Sequence, residues 1–115
     1  MGTICNESKG SVLASEARFV SNWWGRLRGL LGEKSLATGA ALVLSPCDSI
    51  HMFGMRFPLD VLFADSDGVV VGVIENIRPW RMTKRYRSAV CAVELPVGAI
   101  ADSKTEQGDA LRFER

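Results

Sequence analysis

Leu59-Asp60-Val61-Leu62-Phe63-Ala64, then Asp65-Ser66-Asp67-Gly68, then Val69-Val70-Val71-Gly72-Val73-Ile74-Glu75-Asn76-Ile77 is the stretch on which the reading of this chain turns. Two apolar runs flank a four-residue segment rich in turn formers. Asp and Gly supply the backbone geometry of a tight reversal, so the pattern predicts a β-hairpin. Val69, Val70, Val71, Val73 and Ile74 are β-branched and nearly continuous, which predicts a second strand buried on both faces. Working outward, Ala40 to Leu44 is a short apolar run closed by Ser45-Pro46, and Ile50 to Met55 is another, ending at the Arg56-Phe57-Pro58 turn. Ala89 to Leu95 and Ala110 to Phe113 read as further strands. Pro96 to Thr105 has room for one helical turn, and Gly108-Asp109 makes a tight approach to the last strand. Upstream, Val20, Trp23, Trp24, Leu27, Leu30 and Leu31 recur at helical spacing, with Arg26 and Arg28 off the stripe. That predicts one amphipathic helix over residues 21–31, capped by Ser21 or Asn22, ended by Gly32 and anchored in the core by its tryptophans. Many short strands with one or two short helices define a mostly β, α+β chain: a small, partly closed β-barrel or roll.

Composition narrows the classes. The chain has 115 residues, 47% hydrophobic and 23% charged, with fourteen cations against thirteen acids for a net charge of +1. These values exclude a disordered, collagenous or coiled-coil chain. They predict one domain over residues 1–115, without internal repeats or linkers. No apolar run approaches the roughly 20 residues a membrane-spanning helix needs, and no signal-peptide pattern is visible. Cys5, Cys47 and Cys91 are odd in number, far apart and without a C-x-x-C pair. That usage predicts buried thiols in a reducing compartment, with the cytoplasm as the expected location.

Three further segments carry a resemblance. Arg28-Gly29-Leu30-Leu31-Gly32, the run from Ser49-Ile50-His51-Met52-Phe53-Gly54-Met55 through Arg56-Phe57-Pro58-Leu59-Asp60-Val61-Leu62-Phe63, and the closing Glu94-Leu95-Pro96-Val97-Gly98 with Gly108-Asp109 are similar to the family called domain of unknown function 192. The similarity spans roughly residues 11–114. It implies a compact, mostly β fold and no established activity. Many members of that family resemble exported or lipid-anchored proteins behind a signal sequence, a pattern this chain departs from.

Residues 45–60 concentrate the unusual chemistry: the sole histidine, a cysteine, two aspartates, an arginine and two methionines. A Cys47 nucleophile with His51 as base needs sulfur and imidazole within hydrogen-bond reach, but four positions along a strand span roughly 13 Å. The same spread separates Cys47, His51 and Met55 as ligands for copper(I) or zinc, so neither a metal nor another cofactor is expected. Asp60 lies between Leu59 and Val61, where a bare carboxylate is costly, and is expected to pair with Arg56 or an arginine of residues 78–87. Strand alternation places His51, Phe53 and Met55 on one face and Ile50, Met52 and Gly54 on the other.

Residues 78–87 hold five of the fourteen cations and no acid. The first expectation is a solvated loop whose Trp80 packs back onto the barrel; anion binding comes next, and single-stranded nucleic acid last. Glu75, Glu94, Gly108 and Asp109 read as architecture. The functional expectation is a non-enzymatic module that binds a small polar or anionic ligand, or a protein partner. The ligand would sit between the two segments, on His51, Met55, Arg56, Asp60, Arg78, Trp80 and Arg81. The enzymatic alternative is a hydrolase or lyase using Asp60 and His51 as acid and base.

Overall fold

The computed structural model describes residues 1–115, except for the side chains of Trp23, Trp24 and Leu27. The core role expected of the two tryptophans therefore lies outside the described residues. In chain order the elements are β1 (Gly2–Asn6), β2 (Ser11–Val20), α1 (Trp23–Arg28), β3 (Ala40–Leu44), β4 (Leu59–Ala64), β5 (Val70–Ile77), β6 (Cys91–Leu95), α2 (Ala99–Ser103) and β7 (Leu111–Glu114).

The seven strands form one sheet in the order β5-β4-β6-β3-β2-β1-β7. β2 and β3 run parallel and every other neighbouring pair is antiparallel. The sheet curls until its two edge strands meet at one end. There Val69 bridges Ala110, the Val70 N–H donates to the Asp109 carbonyl at 2.9 Å, and the Leu111 N–H donates to the Gly68 carbonyl at 2.8 Å. The result is the small, partly closed β-barrel or roll expected from the sequence, mostly β with two short helices.

Each face of the sheet carries its own apolar cluster. One gathers Ile4, Leu13, Val43, Leu62, Val93, Leu95, Ile100 and Leu111. The other gathers Leu30, Leu42, Leu44, Met52, Leu59, Val61, Phe63 and Ala92. Every residue of β4 and of β6 is buried, because both strands lie inside the sheet with a cluster on each side.

The hairpin forms at its expected place. The Asp65 carboxylate accepts from the Asp67 and Val69 N–H groups, at 2.9 and 3.0 Å, and Gly68 takes φ +81° to complete the reversal. Burial of the second strand differs from expectation. β5 is an edge strand, and Val71, Val73 and Ile74 are only half-buried. The doubly buried partner of β4 is β6.

Three other differences have local causes. β1 and β2 were not expected, and their pairing contains two register irregularities that break the period-2 pattern. α1 is shorter than residues 21–31: Asn22 caps it by accepting the Gly25 N–H at 2.6 Å, and Gly29 ends it at φ +49°, ψ −122°. Residues 50–55 form a loop rather than a strand, with a single bridge from His51 to Met82. Ile50, Met52 and Met55 anchor that loop in the core while His51 and Phe53 are exposed, so the expected two-faced alternation is replaced.

No helix is long and apolar enough to cross a membrane among the described residues.

Candidate functional site

A cavity of about 320 Å³ opens on the face of the sheet that carries Phe63 and Leu42. One wall is the end of α1 and the turn after it: Arg26, Arg28, Gly29, Leu30 and Leu31. The opposite wall is the segment from Pro46 to His51, with Met55. Leu44 of β3 and Glu94 of β6 supply the strand residues at its base.

Glu94 is the unusual member. Its register partners are Val61 on one side and Leu42 on the other, so strand geometry gives it apolar neighbours across both ladders. It is 6% exposed, and its Oε1 has no hydrogen-bond partner among the described residues. Burial without a compensating donor pushes its carboxyl up to about 7. Gly29 lies above it: a Cβ built there would sit 3.7 Å from Oε1. The left-handed φ of Gly29 lets the chain turn over the carboxyl at a position few side-chain-bearing residues adopt.

Cys47 is a wall rather than a reagent. Its Sγ donates to the Ser49 carbonyl at 3.1 Å, and burial raises its thiol above the ordinary value, favouring the protonated form. The strand argument that separated Cys47 from His51 does not apply, because residues 50–55 are a loop and both residues line the cavity. No hydrogen bond joins them among the described residues. His51 Nδ1 instead accepts the Phe53 N–H at 3.4 Å, and its ring stacks on Phe53 with centroids 4.9 Å apart. At the rim, Asp48 receives Arg85 Nε at 2.7 Å.

Of the seven residues expected in a binding site, the cavity brings together His51 and Met55. Asp60 is fully buried elsewhere. Its partners are not arginines: its carboxylate accepts the N–H groups of Asn76, Gly98 and Ile100 at 2.9, 3.0 and 3.1 Å. It fastens the end of β5 and the start of α2 to β4, and it shares no described cavity with His51. Arg56, Arg78 and Arg81 are exposed. Trp80 does not pack back onto the barrel; it is 68% exposed and stacks on Phe53 at 6.2 Å. Among the described residues no group of three or more His, Cys, Asp or Glu side chains is placed to hold a metal ion.

Sequence reasoning missed Glu94, Arg26, Arg28 and Gly29 as site residues. For Glu94 the signal was present, since an acid between Val93 and Leu95 interrupts an apolar strand as Asp60 does.

With the site described, the relatives can be placed. The sequence model of domain of unknown function 192, described as "Uncharacterized ACR", matches residues 4–113. A UPF0127 protein of Thermococcus sibiricus is 32% identical over 116 residues, covering 96% of this chain and 74% of that protein. A UPF0127 protein of Pyrococcus abyssi is 33% identical over 119 residues, covering 98% of each. The crystal structure of a protein of unknown function from Novosphingobium aromaticivorans superposes with a TM-score of 0.82 at 18% identity, over 96% of this chain and 82% of that one. At that identity the likeness shows the fold.

Proposed function

The chain belongs to the domain of unknown function 192 family, and from that premise we propose that it is a single-domain, non-enzymatic binding module for a small polar ligand. The ligand sits in the cavity between α1 and residues 46–55. One observation carries the reading: a buried carboxyl oxygen with no partner among the described residues, at the base of a cavity large enough for a small molecule. An unsatisfied buried acceptor costs stability, and a ligand that donates to it offsets that cost. Glu94 thus selects a hydroxyl or amine, while Arg26 and Arg28 at the wall suit an acidic group. Hydroxy- and amino-carboxylic acids carry both. The protonated, hydrogen-bonded Cys47 and the backbone-tied Asp60 support binding over catalysis, since neither is free to act as nucleophile or base. Three free thiols support a reducing, cytoplasmic setting.

A thermal-shift screen against hydroxy- and amino-carboxylates tests this. A true ligand at about a hundredfold its Kd stabilises by about 2.7 kcal/mol, on the order of 10 °C for a chain of this size. The shift is expected to disappear in Glu94→Gln. A panel that moves neither the melting temperature nor the amide signals of Gly29 and Glu94 would remove the reading's support.

A further inference from the structure

A second feature lies outside the cavity. Phe53 and Trp80 are 43% and 68% exposed, with rings stacked at 6.2 Å and 27°. Large exposed aromatic rings held together mark a binding surface rather than a packing accident. The loops that carry them are fastened to each other by three backbone bonds. The Trp80 N–H donates to the Met52 carbonyl at 2.9 Å, the Met52 N–H to the Arg81 carbonyl at 2.7 Å, and the Thr83 N–H to the Ile50 carbonyl at 2.9 Å. Trp80 itself takes φ +70°, a left-handed conformation rare for a bulky residue, and it does so without burying its ring. The arrangement is therefore assembled before any ligand arrives.

Charge identifies the occupant. Arg78 and Arg81 flank Trp80 in sequence, and Arg56 follows Phe53 by three residues. None of the three has an ion pair or a side-chain hydrogen bond among the described residues. A neutral sugar would use the rings and leave the cations idle. A polyanion without rings, such as inorganic polyphosphate, would use the cations and leave the rings idle. A duplex keeps its bases stacked inside. A single strand presents both bases and phosphates.

We propose that Phe53 and Trp80, with the exposed Arg56, Arg78 and Arg81 carried on the same two loops, form a stacking platform for single-stranded nucleic acid. Bases lie on the exposed rings and the arginines meet the phosphates.

The test is binding of a fluorescent oligothymidylate to the full chain at low salt, with inorganic polyphosphate as a polyanion that has no ring to stack. Trp80→Ala is expected to weaken oligothymidylate binding about tenfold, with polyphosphate binding unchanged and Trp80→Phe restoring the loss. Arg78→Ala combined with Arg81→Ala is expected to reduce the slope of log affinity against log salt by roughly 1.4. Glu94→Gln is expected to bind the oligonucleotide as wild type does, which separates this platform from the cavity. Absence of oligothymidylate binding at low salt overturns the proposal. So does undiminished binding by Trp80→Ala, which would leave a cationic surface without stacking. The ring is exposed, so retention of the fold is expected and is checked by circular dichroism.

Discussion

Asp60 and Glu94 are two buried acids on adjacent strands, one register step apart: Asp60 faces Leu95, and Glu94 faces Val61. In an antiparallel ladder, facing residues share a side of the sheet, so the two carboxyls point to opposite sides. On Asp60's side the start of α2 and the end of β5 deliver three backbone N–H groups to it. On Glu94's side apolar strand neighbours, Gly29 and a cavity surround the carboxyl, and one oxygen is left without a partner among the described residues. Burial alone thus says little about a carboxylate. What separates a structural acid from a site is whether the fold brings it enough donors.

The largest expected effect comes from the satisfied acid. Asp60→Ala removes the acceptor of three backbone donors at once, that of Ile100 buried and those of Asn76 and Gly98 partly so, and is expected to cost on the order of 4 kcal/mol in urea unfolding. If Glu94→Ala costs as much, the contrast fails.

Next is Glu94→Gln, which removes an uncompensated buried charge and is expected to stabilise the protein by about 2 kcal/mol at pH 8. The same group sets a pH dependence. Its carboxyl titrates near 4.5 when unfolded and near 7 when folded, so the folded chain holds the proton more tightly. Stability is then full below about pH 4.5 and declines as pH rises through 7, by on the order of 3 kcal/mol. Subtracting the Glu94→Gln profile from wild type isolates that slope. A flat difference between pH 5 and 8 would place the Glu94 carboxyl among satisfied groups.

The smallest effect is Gly29→Ala. Forcing a side chain into φ +49° is expected to cost about 1–2 kcal/mol. The added methyl, 3.7 Å from Oε1, is also expected to weaken any ligand that reaches Glu94. Thermal melts and titration of a cavity ligand read the two effects separately.

Local chemistry made some of this legible. Asp65 to Gly68 announces its hairpin because the Asp65 carboxylate and the positive φ of Gly68 act within the turn. Asp60 announces its need for partners because it interrupts an apolar run. The partners themselves, 16, 38 and 40 positions away, leave no local trace, and arginines were the natural guess. Residues 50–55 misled for a related reason: Ile50, Met52 and Met55 are apolar because a loop is pinned to the core, and that spacing mimics a strand. β1 and β2 were hidden by their irregular register. Most of the cavity's lining lies in segments singled out from sequence, the Arg28–Gly32 run, residues 45–60 and Glu94–Gly98, with Arg26 and Leu44 outside them. Nothing in the order of residues says that the three segments converge on one carboxyl.

The pairing of β1 with β7 has a temporal consequence. Asn6 donates to Thr105 and Asp109, 99 and 103 positions downstream, and Lys9 reaches Asp109 at 2.8 Å. The first strand of the sheet therefore depends on the last for the covering of its outer margin. Contacts of such long sequence separation form late and slow the folding of small β proteins. Until β7 arrives, β1 presents unpaired backbone groups along an open margin, the geometry that recruits strands from other chains. Each molecule is most prone to associate with its neighbours while β1 is formed and β7 has not yet paired with it.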